Sequence, residues 1–480
     1  MKMRMSLIFL SLFLLCSVCL AQVDSAQARL ERVDELYRAG DYAGAKQLLD
    51  ELGSQLPENA TILRWRGTVA LTMNELNDAV RFLSASLTIE PSSVVTLNNL
   101  GTAYLRLNQP EKAAAQFEQA VVAAPKAFEG HYNLATSLSR MGRNEQAFGE
   151  YEAALAIRAT DYNALVGYGR ALELAGETKQ AVMQYELARM EQPENIALLR
   201  TLATLYTNLG NNARASELYD EIIKRTPNDA AAYISQGVTL YAEGRYEEAA
   251  ARFTAALTID ASSFTAAYNA GQAYIKLGKN AEALASLKSA VMINPGHVGC
   301  WLQIGSVHAA AGNWAEASSA YQSALAADPS HRQARTNLAL ALAALGRADE
   351  ARAQWEEIAG RFPDDQTAHR TLAALYFRAE RWDEALREFL YALTLQPKDS
   401  DAHNSVGLIY LQRENVTAAS VHFASAVTVD PTNVYALNNL GVTLERRGLT
   451  AEARARYEQA VAVKPDFAPA RKNLERLTPQ

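Results

Sequence analysis

An alanine stands at residue 45 and again at 79, 113, 147, 181, 215, 249, 283, 317, 351, 385, 419 and 453, always 34 residues after the last. Nothing else in the chain constrains its fold so tightly. A length of 480 residues would otherwise suggest about three domains of roughly 150 residues each. An interval kept without a slip points instead to one array of stacked units, each unable to bury its apolar face alone. With Ala45 at position 20, thirteen repeats of 34 residues fill 26–467 with no insertion.

Other positions keep the same phase. Position 8 is Gly or Ala in every repeat after the first, as in Gly67, Gly101, Ala135, Gly169 and Gly441. Position 24 is usually aromatic, as in Phe117, Tyr151, Tyr185, Phe253, Trp355 and Tyr457. Position 15 is Gly or Asn in eleven repeats, and position 32 is proline in eleven, from Pro57 to Pro465. Small residues at 8 and 20 let two helices approach, and the ring at 24 fills the gap between them. Gly or Asn at 15 can take the left-handed conformation that ends a helix. Proline at 32 stops a second helix and can open the next one. Each repeat therefore reads as helix, tight turn, helix.

This pattern resembles the tetratricopeptide repeat (TPR) family, whose unit is a 34-residue helix pair. The resemblance implies an all-α chain, a right-handed superhelix (α-solenoid) of thirteen helix-turn-helix repeats with an inner, concave groove. The ends are expected to act as caps. The first repeat carries Arg29, Arg32 and Val33 where later repeats are apolar or small, which leaves its outer side polar. After residue 467, APARKNLERL continues as one more first-type helix within a capping segment and tail over 468–480. There Ala470, Leu474 and Leu477 would cover the last pair, while Arg471, Lys472, Glu475 and Arg476 face water. Terminal repeats need such polar outer faces for solubility.

The first residues differ from the rest. Lys2 and Arg4 precede an apolar run from Met5 to Leu20, and Cys19-Leu20-Ala21 offers a small-residue cleavage site. Residues 1–21 read as a secretory signal peptide, which predicts an exported chain, periplasmic or secreted. A signal that stays uncleaved as a membrane anchor is the alternative. No stable membrane span is expected once the signal is cut. Cys16 and Cys19 fall inside this segment, so cleavage would leave Cys300 alone and no internal disulfide. Removing Lys2 and Arg4 leaves 44 basic against 53 acidic residues. That balance argues against a nucleic-acid partner, which would want a basic face.

At 100° per residue, positions 4, 7, 8 and 11 of the first helix form one stripe, read as core. Positions 2, 5, 6, 9, 12 and 13 lie opposite. In the TPR family that opposite stripe lines the groove. Position 6 is Asn99, Asn133, Asn269, Asn337 and Asn439, and position 5 adds Asn98, Asn404 and Asn438. An amide carries donors and an acceptor, so it can pair with an extended peptide backbone without reading its side chains. The array is similar to the asparagine ladder in the TPR superhelix of O-linked N-acetylglucosamine transferases, with Asn-Leu-Gly at 99–101 and 439–441. Arg64, Arg200 and Arg370 at position 5, Arg170 at 9, and Tyr241 and Phe377 at 12 complete the candidate peptide-binding groove. A clamp for a C-terminal carboxylate does not fit: Arg64 and Asn99 match two of its elements, but Thr68 and Glu129 break the others. Position 9 is mainly threonine early (Thr68, Thr102, Thr136, Thr204) and apolar at Val238, Leu340, Leu408 and Val442 later. Apolar residues there are either a partner surface or packing between neighbouring first helices. Position 13 often carries a base, among them Arg106, Arg140, Lys276, Arg378 and Arg446, which suits either a ligand or a helix C-terminus.

The expected function is a non-enzymatic scaffold that binds a partner protein or an extended peptide. The alternative is a carbohydrate or small-ligand receptor using the amides with Tyr132, Tyr241 and Tyr268. An enzyme related to glycosyltransferases is disfavoured, because the array leaves no room for a catalytic domain. No cofactor or metal is expected. Cys300 at position 3 suits a small buried slot. His369 with His403, at position 4, and His297 with His331, at position 34, are read as core or surface residues, since a metal site needs three or four converging ligands.

Overall fold

A computed structural model describes residues 26–477. The expected signal at 1–21 and the tail from Thr478 lie outside the described residues. Among those described there are helices and turns and no strand. A helix over 26–38 is followed by helices in strict register. The first helix of each repeat occupies positions 1–13, as in Ala60–Thr72, Phe264–Lys276 and Val434–Arg446. The second occupies positions 17–30, as in Leu76–Ile89, Asn280–Ile293 and Thr450–Val463. A last helix, Ala468–Leu477, starts 34 residues after the preceding first helix. Within each of two compact units, residues 1–228 and 229–480, each helix packs on the next along the chain.

The interlock between positions 8 and 24 holds the pair. A Cβ on Gly101 would lie 2.5 Å from the Phe117 ring, and one on Gly441 would lie 2.5 Å from Tyr457. Phe117 and Tyr457 are fully buried as a result. Burying each such side chain contributes roughly 1.5–3 kcal/mol.

The turn at position 15 is left-handed in every repeat. Glycine takes it in nine repeats, and Asn74, Asn108, Glu380 and Glu414 take it with φ between 56° and 63°. Glu380 and Glu414 thus hold the same turn with a side chain that disfavours it.

The buried stripe of the first helix is broader than positions 4, 7, 8 and 11. Positions 3 and 10 are buried as well, as Ala266 and Ala273 show. The first helix touches the preceding repeat's second helix as well as its own partner. A Cβ on Gly130, for example, would sit 3.2 Å from Val121. Cys300 occupies such a slot at 0% exposure, its thiol directed at the Leu287 carbonyl 3.4 Å away.

Position 34 caps the next first helix. Asn59, Asp161, Asp365 and Asn433 accept a hydrogen bond from the backbone N–H three residues on. His297 and His331 do the same through Nδ1, from Cys300 at 3.0 Å and Ala334 at 3.2 Å. A cap of this kind contributes about 1 kcal/mol. The ends behave as the polar pattern requires. Arg29 pairs with Glu51 at 2.8 Å, Ala470 is fully buried, and Leu474 and Leu477 pack on the core of repeat 13.

Candidate functional site

The candidate groove lies where neighbouring first helices run side by side. In the N-terminal unit its polar groups bind each other. Asn133 donates from Nδ2 to Asn98 Oδ1 at 3.3 Å, and Asn99 donates to Thr68 Oγ1 at 2.9 Å. Asn98 also donates to its own helix, at the Val94 carbonyl. Thr68, Thr102, Thr136 and Thr204 each donate to the carbonyl four residues back. Arg106 and Arg140 at position 13 donate to the position-12 carbonyls of the preceding repeats, Leu71 at 2.9 Å and Leu105 at 3.4 Å. These two bases therefore close the end of a neighbouring helix.

The same seam recurs at the C-terminal end. Asn439 donates to Asn404 Oδ1 at 3.0 Å, and Asn473 of the last helix donates to Asn438 Oδ1 at 3.0 Å. Asn438 is 9% exposed, which corrects its placement as an open groove residue. Its amide ties the last helix to repeat 13. Phe377 is corrected in the same direction. It is half-buried, packs on the core of repeats 10–12, and meets Trp382 edge-on at 5.1 Å.

Between these seams, repeats 7–9 leave a cleft of about 470 Å³ lined by Tyr241, Gln272, Ile275, Lys276, Asn280, Gln303, Ser306, Val307 and Ala310. The Gln303 amide donates to Tyr268 Oη at 3.2 Å, while its Oε1 is buried with no partner. Burial raises the Tyr268 pKa, and nearby Cys300 adds to the shift, so the phenol stays protonated. Lys276 has no ion pair or hydrogen bond among the described residues, and the same holds for Asn269, half-buried beside Tyr268. Val238 and Leu340 at position 9 are 44% and 54% exposed. Tyr241 is half-buried and meets Tyr246 edge-on at 5.1 Å. Tyr132, in repeat 4, stacks on Phe128 at 5.6 Å.

A smaller cleft of about 290 Å³ is lined by Arg370, Thr371, Arg378, Asp401 and Ser405 among others. Arg370 stands 3.9 Å from Asp399. Asn337 is held within its own helix by Gln333 at 2.8 Å. Arg64 and Arg200 are half-buried and Arg170 is exposed. The structure thus gathers Asn98 with Asn133, Asn404 with Asn439, and Tyr241 with Lys276, and it leaves the arginines in separate repeats.

Sequence reasoning missed Gln272, Gln303 and Ser306 as one cluster. They sit at positions 9, 6 and 9, so the positional stripe contained them. What hid them was that a cleft depends on small neighbours such as Ala310 as much as on the polar residues. Burial raises the Cys300 thiol to about 12, which keeps it protonated. No group of three or more His, Cys, Asp or Glu among the described residues could hold a metal ion. None of the described helices is long and apolar enough to cross a membrane.

Family models described as tetratricopeptide repeat match residues 30–94, 98–162, 200–264, 302–368 and 370–420, with two further matches at 240–299 and 434–464. The chain belongs to the tetratricopeptide repeat family. This TPR chain is also similar to solved structures. One described as MamA protein is 20% identical, covering 36% of this chain and 93% of that one, with a TM-score of 0.33. One from the complex titled APC/C hetero-tetramer Cut9-Hcn1 is 14% identical, covering 93% and 95%, with a TM-score of 0.31. One from Naa15/Naa10 bound to HypK-THB is 14% identical, covering 94% and 78%, with a TM-score of 0.37. No curated protein matches the TPR chain.

Proposed function

We propose that this TPR chain is an exported, non-enzymatic scaffold that binds a partner protein or extended peptide on the first-helix face of repeats 7–9. The observation that carries the reading is the state of the polar groups there. A buried Gln303 Oε1 without a partner lacks a hydrogen bond whose loss costs about 1–3 kcal/mol, and a peptide N–H would supply it. Lys276 adds a free cation, and Tyr241 and Ile275 add apolar surface beside it. Aromatic residues flanked by satisfiable polar groups are the usual anchors of a binding surface. Export rests on the basic start and apolar run of residues 1–21, and cell fractionation tests it.

The test is affinity capture from the exported fraction with the wild-type chain and with Tyr241→Ala/Lys276→Ala/Gln303→Ala, each partner identified by mass spectrometry. A partner present on the first and absent from the second supports the reading. An identical set on both sinks it. The cleft volume and its amide-lined floor also suit a carbohydrate or other small ligand. Glycan-array binding by the wild-type chain, lost in the same variant, would favour that second reading.

A further inference from the structure

Position 4 of the first helix meets position 23 of the second in every repeat, and three repeats place a histidine at position 4. In repeats 4 and 11 it faces a carboxylate: His131 Nδ1 lies 2.6 Å from Glu150 and His369 Nδ1 lies 2.7 Å from Glu388. Repeat 12 differs. His403 Nδ1 lies 3.2 Å from His422 Nδ1, with no carboxylate between them. His403 Nε2 lies 3.1 Å from the Pro397 carbonyl, which must accept a proton from it. That bond fixes the tautomer and turns the bare Nδ1 lone pair toward His422. A backbone carbonyl on the far nitrogen is how metal-ligating histidines are held. The His422 ring is fixed in turn by Tyr410, stacked at 5.6 Å and 25°.

The spacing suits a metal ion. Zinc binds imidazole nitrogen at about 2.0–2.1 Å, so two ligands on one edge of a tetrahedron stand about 3.3–3.4 Å apart. The His403–His422 pair has nearly that edge already. The two His–Glu pairs are too short for it and fit a shared proton instead. Both imidazoles are half-buried, so an ion can reach them from solvent.

We propose that His403 and His422 form a two-imidazole chelate for a divalent first-row transition ion, zinc being the reference case, with water at the remaining positions. On binding, His422 moves its single proton from Nδ1 to Nε2, which has no partner among the described residues. Both Nδ1 lone pairs then face the ion, and no net proton is released while both rings are neutral. A site with two protein ligands is open, so it exchanges its ion and can accept a further ligand from a bound partner.

Zinc chloride is titrated calorimetrically into the untagged full chain at pH 7.5, with His422→Gln, His403→Gln and His131→Gln alongside. Far-UV circular dichroism first checks that each is folded. The wild-type and His131→Gln chains are expected to take up one zinc more than either of the other two. In parallel, the Nδ1 resonances of both histidines in the wild-type chain are expected to shift on zinc addition. That measurement needs no variant. Equal zinc uptake by the wild-type, His422→Gln and His403→Gln chains, or Nδ1 resonances that stay still, would overturn the proposal.

Discussion

Repeats 3 and 4 and repeats 8 and 9 share one backbone and one core, yet their first-helix faces differ. In the early pair, position 6 donates across the seam (Asn133 to Asn98), position 9 returns to its own helix (Thr102, Thr136), and position 13 closes a neighbour's end (Arg106, Arg140). In the later pair Asn269 and Lys276 have no such partners among the described residues, and Gln303 is only half satisfied. A repeat position therefore does not carry a role by itself. The role depends on what the adjacent repeat offers at its own positions. Satisfied amides brace the array, and unsatisfied ones leave it ready for a ligand.

This contrast can be broken most sharply at the ligand. The Tyr241→Ala/Lys276→Ala/Gln303→Ala chain is expected to lose at least about 2 kcal/mol of binding to its captured partner, roughly 30-fold. Asn133→Ala/Arg106→Ala/Arg140→Ala should leave that affinity unchanged. Loss of binding in the second variant would mean that the braced face is functional after all. The next effect concerns the turns. Glu380→Gly and Glu414→Gly should each stabilise the chain by about 1 kcal/mol, because they release a left-handed side chain. Asn74→Gly, the matching change in the N-terminal unit, should give less, since asparagine tolerates that conformation. Urea midpoints compare the three. Asn133→Ala is then expected to cost about 1 kcal/mol and Asn269→Ala close to nothing, because the first breaks a seam hydrogen bond and the second breaks none.

The smallest effect is a pH dependence confined to repeat 12. Burial, reinforced by His403, holds the His422 pKa below its ordinary value of 6.5. The folded chain then binds fewer protons than the unfolded one in that range. The stabilisation is present above pH 6.5 and is lost as pH falls through the lowered pKa. His422→Gln should flatten the slope of stability between pH 7 and 5, measured without added metal. An unchanged slope would place the titration elsewhere.

Much of the fold was legible because the period exposes it. Helix starts, the left-handed turn at 15 and the Gly101–Phe117 interlock follow from which residue types recur in phase. The buried slot of Cys300 was legible for the same reason. The site was less so. The seam bonds of Asn98, Asn133, Asn404 and Asn439 depend on how closely two first helices lie, and a one-repeat pattern does not contain that distance. The caps at His297 and His331 were hidden because histidine stands where other repeats show their role with Asp or Asn. Asn438 looked exposed by angle alone, and it became buried because Asn473 of the terminal helix reaches over it.

The strict register has one more consequence. Every first helix begins directly after its capping residue, at the same step of 34. Excising one whole repeat from the interior of either unit would join a cap to a helix start of matching type, whereas excising any other length would set a cap against the wrong residue. The gene can thus grow or shrink only in whole repeats, and each such event would carry a ready-made interface with it. Length in this protein is inherited in quanta.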